Sequence, residues 1–259
     1  MSLYDELRRC IAAEESVALA STLRPEAHLG AKLLIYPDGR TRGTLGPGAP
    51  TAAVVEDARA LLRQGVAKTR AYTHPESGET WEVFIDVYPA PETLVIVGAV
   101  HTAMALCRLA KVLGFRIIIV DPRAQFANQE RFPDADRIIV AYPDDAMSDL
   151  RMDDATSVVI LAHDPKLDEP AIEAALSSGA RYVGAIGSRK TNVARFERLR
   201  RRGLTDAQLA RLRAPIGLDL GAETPEEIAL SVLAEVVAVK YGRSGGALAH
   251  GTGPVHVPR

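Results

Sequence analysis

Only two cysteines occur in the 259 residues, Cys10 and Cys107, and they fit neither a C-x-x-C pair nor any metal-ligand spacing. Neither a disulfide nor a zinc site is expected, and Cys107 falls on the core-facing side of a helix pattern. No apolar run reaches the ~18 residues that a membrane span needs. Glu6, Glu14 and Glu15 interrupt the stretch where a secretory signal would need its apolar core, so a cytoplasmic protein is expected. Neither sign of charge dominates: 31 Lys and Arg stand against 33 Asp and Glu, for a net charge of -2, which excludes a bulk nucleic-acid binder. No nucleophile elbow, Walker loop, HExxH run or internal repeat is present. What remains is 47% apolar and 25% charged residues, the balance of a globular chain with a sizeable core and a length that suits two domains.

The most informative stretch is Leu94-Val95-Ile96-Val97-Gly98-Ala99-Val100-His101, an unbroken apolar run that meets a glycine and opens into a helix pattern. A strand buried between helices is apolar throughout rather than alternating, and the turn after it aims backbone N–H groups at an anionic ligand. Ala103, Leu106, Cys107, Ala110 and Leu113 then share one helical face, and Gly114 closes the helix. The G-x-G-x-x-G fingerprint survives only in part, as Gly98-x-Val100-x-x-Ala103, with a branched side chain where a pyrophosphate would approach. Asp121 ends the next apolar run, 23 positions after Gly98, where an acidic residue binds a ribose hydroxyl; Arg123 beside it suits a phosphate.

Before this stretch, Leu3 to Glu15 has helical spacing with Leu7 and Ile11 on one side. Ala31 to Tyr36 and Thr41 to Leu45 read as a hairpin around Pro37-Asp38-Gly39, Thr51 to Gln64 as a helix, and Val66 to Tyr72 and Thr80 to Tyr88 as strands. The two prolines of Tyr88-Pro89-Ala90-Pro91 mark a linker. After it, strands are expected at Leu94 to Val97, Phe115 to Val120, Arg137 to Val140, Ser157 to Ala162 and Arg181 to Ile186, with helices between them. Thr224-Pro225-Glu226-Glu227 is a capping box that launches a last helix to about Lys240, striped by Ile228, Val232, Val236 and Val239. The expectation is an α/β chain: a small α/β domain over residues 1–88, a Rossmann-like parallel sheet with helices on both faces over 89–242, and a mobile tail over 243–259.

Ligands of such sheets sit beyond the carboxyl ends of the strands, so the polar residues that follow each strand are the candidates. They are Gly98, Ala99, Val100 and His101; Asp121 and Arg123; His163 and Asp164; and Gly187, Ser188, Arg189 and Lys190. The last four combine a glycine turn, a hydroxyl and two cations at a helix start, which suits a phosphate, although Ser188 would equally serve as a helix cap. Arg195, Arg198 and Arg202 continue on one helical face, either as a solvated face or as a dock for an acidic partner. His163, Asp164 and Asp168 could position a ligand or a metal, or Asp168 could cap a helix beginning near Glu169-Pro170. The list favours a ligand-holding site over a catalytic one.

The segments Tyr182-Val-Gly-Ala-Ile-Gly-Ser-Arg-Lys-Thr191 and Ala214-Pro-Ile-Gly-Leu-Asp-Leu-Gly-Ala-Glu-Thr-Pro-Glu-Glu-Ile228 resemble the XdhC/CoxI family of xanthine dehydrogenase accessory proteins. The resemblance extends through Leu94 to Arg123 and through Glu130-Arg131-Phe132-Pro133, covering most of residues 92–242. It implies a Rossmann-like domain behind a smaller N-terminal one, commonly in a homodimer. It also implies binding of molybdenum cofactor (molybdopterin) and its delivery to a molybdenum hydroxylase such as a xanthine dehydrogenase. Molybdopterin carries a phosphate for Gly187 to Lys190 and a polar pterin for histidines and carboxylates at the same edge; the turn from Gly217 to Glu223 could lay Glu223 against it. The family's Gly-Gly-Cys-hydrophobic-Glu motif corresponds here to the stretch from Gly46 to Glu56, which offers molybdenum no thiolate. The alternative expectation is an NAD-dependent oxidoreductase or dinucleotide sensor, which requires Asp121 to hold a ribose and Val100 to tolerate a pyrophosphate.

Overall fold

The computed structural model describes residues 2–73, 78–251 and Val255. The chain divides into two compact units, the first through Ala90 and the second from Pro91. The far end of the expected tail, residues 252–254 and 256–259, lies outside the described residues; within it, Leu248–His250 forms a single 3₁₀ turn.

The first unit is an antiparallel sheet with a helix on each face. Its elements run α1 (Leu3–Ala12), β1 (Val17–Arg24), β2 (Lys32–Ile35), β3 (Thr41–Gly43), α2 (Thr51–Gln64), β4 (Lys68–Thr73) and β5 (Thr80–Tyr88), in the sheet order β3-β2-β1-β5-β4. Side chains alternate across the central strands. Ala18, Ala20, Leu33, Ile35, Val83 and Ile85 face Val54, Ala58, Leu61 and Leu62 of α2. Val17 and Leu34 face Leu7 and Cys10 of α1 instead. The sequence reading assigns no element to Val17–Arg24, the central strand. Its alanines and serine have low strand propensity, and burial on both faces removes the alternation that marks a half-exposed strand. Ile11 is 45% exposed, and Cys10 takes the buried place expected for it, because the buried stripe runs through Glu6, Leu7 and Cys10. Glu6 stays in that stripe by accepting from Arg9, Tyr36 and Arg42.

The second unit is a six-stranded sheet in the order β11-β10-β9-β6-β7-β8, every pairing parallel. Its strands are β6 (Thr93–Val97), β7 (Arg116–Val120), β8 (Arg137–Ile139), β9 (Thr156–Ile160), β10 (Tyr182–Ala185) and β11 (Leu212–Arg213). The helices are α3 (His101–Val112), α4 (Pro143–Ser148), α5 (Pro165–Ser177), α6 (Arg189–Arg201), α7 (Asp206–Leu209) and α8 (Pro225–Lys240). From β6 the strands proceed outward in both directions, which is the doubly wound Rossmann order with its switch point between β6 and β9. Both faces of the sheet are covered. Leu94, Ile96, Ile117 and Ile119 pack under α3 and α8, while Val95, Val97, Val158 and Ile160 pack under α5 and its neighbours.

Two polar fastenings fix the frame. Tyr182 of β10 donates to Glu235 of α8 at 2.5 Å, and the same carboxylate oxygen accepts from the Gly217 N–H at 2.8 Å. Burial and that carboxylate push the Tyr182 hydroxyl far above its ordinary range. At the amino edge of the sheet, Glu92 holds both Arg181 and Lys240, while Gly217 lies past the carboxyl end of β11. α8 therefore starts at the carboxyl edge of the strands and ends at their amino edge. Its capping box forms as the sequence reading expects: Thr224 accepts from the Glu227 N–H, and Glu227 accepts from the N–H groups of Thr224 and Glu223.

Candidate functional site

The loops that follow β6, β7, β9 and β10 converge at the carboxyl edge. Gly98 has φ +102°, and a Cβ there would stand 2.6 Å from the Ala162 backbone nitrogen, so the turn after β6 touches the chain leaving β9 directly. No residue with a side chain fits that approach. The Ala99 N–H donates to Asp121 Oδ2 at 2.8 Å, which spends a group that a dinucleotide-binding turn would offer to a ligand. Val100 caps α3 through its backbone only, and His101 is exposed in the first turn.

Asp121 is fully buried. Besides Ala99 it accepts from the Arg123 N–H at 2.9 Å and from Arg123 Nε and Nη2 at 2.8 and 2.7 Å. Burial alone would raise its pKa; the Arg123 side chain and the two backbone N–H groups outweigh that and hold the carboxyl below its usual range. The carboxylate expected to meet a ribose here joins the β6 turn to Arg123. Arg123 lies over the Phe126 ring at 4.7 Å, and Asp164 is close enough to reinforce its charge.

After β9, His163 takes a left-handed conformation at φ +58° with an exposed side chain. Non-glycine residues in that region store local strain, which concentrates at functional turns. Asp164 is the N-cap of α5 and accepts from the Lys166 N–H at 2.9 Å, with Pro165 at the first helical position. The expectation that Asp168 caps a helix starting near Glu169 is corrected: α5 begins four residues earlier, and Asp168 lies inside it, 1% exposed and paired with Arg195 Nη2 at 2.8 Å. Burial raises the Asp168 pKa despite that partner. Among the described residues no three His, Cys, Asp or Glu side chains cluster to hold a metal ion.

The turn into α6, like the uncapped start of α3, leaves backbone N–H groups without a partner among the described residues, and it adds two exposed cations to them. Ser188 caps the helix, accepting from the Thr191 N–H at 3.1 Å, so the capping role weighed for it is realised. Behind it, Arg195 Nη1 donates to the Ile186 carbonyl at 2.8 Å and Asn192 Nδ2 to the Gly187 carbonyl at 3.1 Å. In a trans peptide the N–H points opposite the carbonyl, so pulling both carbonyls inward turns the N–H groups of Gly187 and Ser188 outward. The backbone N–H groups of Gly187, Ser188, Arg189 and Lys190 donate to no group among the described residues. The side chains of Arg189 and Lys190 are exposed and likewise have no partner there. Four free N–H groups at the start of a 13-residue helix, flanked by two free cations, form an anion cradle.

The arginines further along α6 do not form an outward basic face. Arg195 pairs with Asp168, Arg198 with Glu169 and Arg202 with Glu173, a ladder that zips α6 onto α5. Sequence reasoning missed it because the partners lie 27 to 29 positions away. It also missed Asn192, 2% exposed, whose signal is its place one turn after the Ser188 cap. Glu223 is exposed; its N–H serves the α8 cap, and its side chain meets none of the other candidates.

The XdhC Rossmann domain model matches residues 94–236, and the XdhC and CoxI family model matches residues 10–73. The chain belongs to the XdhC and CoxI family. YqeB of Escherichia coli (strain K12) is 31% identical over 230 residues, 83% of this chain and 41% of that protein. A probable xanthine dehydrogenase subunit of Bacillus subtilis (strain 168) is 29% identical over 178 residues, 68% of this chain and 52% of that one. The molybdenum cofactor insertion chaperone PaoD of Escherichia coli (strain K12) is 35% identical over 95 residues, 37% of this chain and 30% of that one. The chain thus spans about half or less of the curated relatives it matches. The crystal structure of a xanthine dehydrogenase from Bacillus halodurans shares the fold, with a TM-score of 0.53 over 97% of this chain and 98% of that one, at 20% identity.

Proposed function

We propose that this XdhC and CoxI family chain is a maturation factor that holds molybdenum cofactor at the carboxyl edge of its Rossmann sheet and hands it to a xanthine dehydrogenase-like molybdoenzyme. The observation that carries the reading is the cradle at Gly187 to Lys190, where four N–H groups and two cations have no partner among the described residues. A phosphate monoester carries about two negative charges and three acceptor oxygens, which this donor set matches. The cofactor's phosphate would lie there, with His101 and His163 offering ring nitrogens to its pterin. The names of the relatives, a cofactor insertion chaperone and a xanthine dehydrogenase subunit, support the same role. The cofactor is cargo in this reading, and the chain contributes binding, orientation and release.

Calorimetric titration with molybdenum cofactor tests the proposal. Submicromolar binding is expected, falling about a hundredfold or more in Arg189→Ala/Lys190→Ala, where two charge-assisted contacts are lost. Loaded protein should activate a cofactor-free molybdenum hydroxylase, and the double variant should not. Unchanged affinity in the double variant would remove the cradle from the site. The NAD reading finds no support at Asp121, whose oxygens are already engaged.

A further inference from the structure

We propose that Arg123 is a specificity-determining residue: it fills the place where a Rossmann sheet holds a ribose diol, so the crevice takes phosphorylated ligands that present no diol there. The inference rests on the reading of this crevice as the ligand site. Asp121 stands at the end of the strand next to β6, the position from which a carboxylate grips a dinucleotide's ribose. An ionised carboxylate has about four lone-pair positions. Here Oδ1 accepts from the Arg123 N–H and Nε, and Oδ2 from the Ala99 N–H and Arg123 Nη2. A diol therefore has nowhere to donate, and Asp121 has no exposed surface to offer it.

Arg123 is held in this place from its other side. Its guanidinium lies on the Phe126 ring, and Arg131 approaches the same ring at 5.3 Å. Arg131 Nη1 in turn donates to the carbonyls of Ala99 and Phe126, at 3.0 and 3.3 Å. The turn after β6 and the segment after β7 are thereby cross-linked, and a ribose could reach Asp121 only by displacing a bidentate, stacked arginine. The Arg123 side chain is itself 40% exposed, so the face it turns away from Asp121 is open to the crevice.

The test is titration with ADP and with 2′-deoxy-ADP, followed calorimetrically, in wild type and in Val100→Gly, with every Arg123 variant built on Val100→Gly so that phosphate approach to the turn does not limit binding. Wild type and Val100→Gly, which both keep Arg123, should bind the two nucleotides equally. Adding Arg123→Ala or Arg123→Ser frees Asp121 and should bring about tenfold or greater preference for ADP, the size of hydrogen bonds to a charged group. Adding Arg123→Lys instead should keep the ratio near one, since the stem and charge still cover the carboxylate. Circular dichroism identifies which variants are folded, and either the Ala or the Ser protein suffices. A folded variant without the preference overturns the proposal, as does a preference in any protein that retains Arg123. Molybdenum cofactor takes no part in these titrations, so its failure to bind would remove the proposed function and leave this result standing.

Discussion

Substituting Gly98 by alanine should destabilise the second unit far more than the same change at Gly114, although both glycines have positive φ. At Gly114, φ is +79° and a Cβ would meet nothing within 4 Å. Only the left-handed conformation is then penalised, by about 1–2 kcal/mol. At Gly98 the same conformational cost applies at φ +102°, and the new Cβ also stands 2.6 Å from the nitrogen and 2.7 Å from the Cα of Ala162. Those are backbone atoms, and one residue earlier the Leu161 N–H is bonded to the Val97 carbonyl at 2.8 Å, so the chains cannot part without weakening the ladder. Overpacking of that kind adds about 1–3 kcal/mol, and a strained ladder bond about 1 more. Gly98→Ala should therefore lie about 2–4 kcal/mol below Gly114→Ala. Urea denaturation followed by far-ultraviolet circular dichroism measures the difference as a shift in midpoint at unchanged slope. The sole tryptophan, Trp81, belongs to the first unit and makes a poor probe of this change. Equal midpoints for the two variants would refute the contact between the β6 turn and Ala162 on which the crevice is built.

The α5–α6 ladder should be graded by burial. Arg195→Ala leaves Asp168 buried without its partner and should cost about 3–5 kcal/mol, whereas Arg202→Ala, at an exposed pair, should cost about 0–1 kcal/mol; thermal melts showing equal losses would contradict the ladder. Asp121 governs an acid limit. Its folded pKa lies below the ordinary aspartate value of 3.8, so the stability it contributes is present above pH 3.8 and lost as pH falls through the folded value. Acid titration of the circular dichroism signal should show a flatter loss below that pH in Asp121→Asn, and superimposable curves would count against its pairing with Arg123.

Most of the second unit was legible because its signals are local. The apolar runs at Leu94–Val97 and Phe115–Val120, the glycine after the first, and the Thr224 capping box each specify their element within a few residues, and the structure builds all of them. The central strand of the first unit was not legible. Val17–Arg24 owes its strand conformation to β2 and β5 on either side, which satisfy its backbone, and its small side chains leave room for α2. The true start of α5 was missed for a related reason: Asp164-Pro165 is a complete start signal, but Pro170 five residues on reads as a second one, and the chain accommodates that proline inside the helix.

The candidate site was legible as a list of residues and illegible as a division of labour, and the physical reason is that anion binding and helix capping draw on the same residue types. Ser188 and Asp164 are suited to a ligand, and both are spent on caps; Asp121 is suited to a ribose, and it is spent on Arg123 and Ala99. What separates the roles is whether a polar atom already has a partner, and partners such as Asp168 and Glu169 for the α6 arginines come from a helix that the sequence places far away. Those pairs have a consequence for the cradle. Because Arg195 is held by Asp168, its other donor stays fixed on the Ile186 carbonyl, and the outward N–H groups of the turn are set by a buried ion pair further along α6 than the free cations. On the proposed reading the cradle is pre-organised by α5, and a ligand held at Arg189 and Lys190 would meet N–H groups set by residues that never reach it.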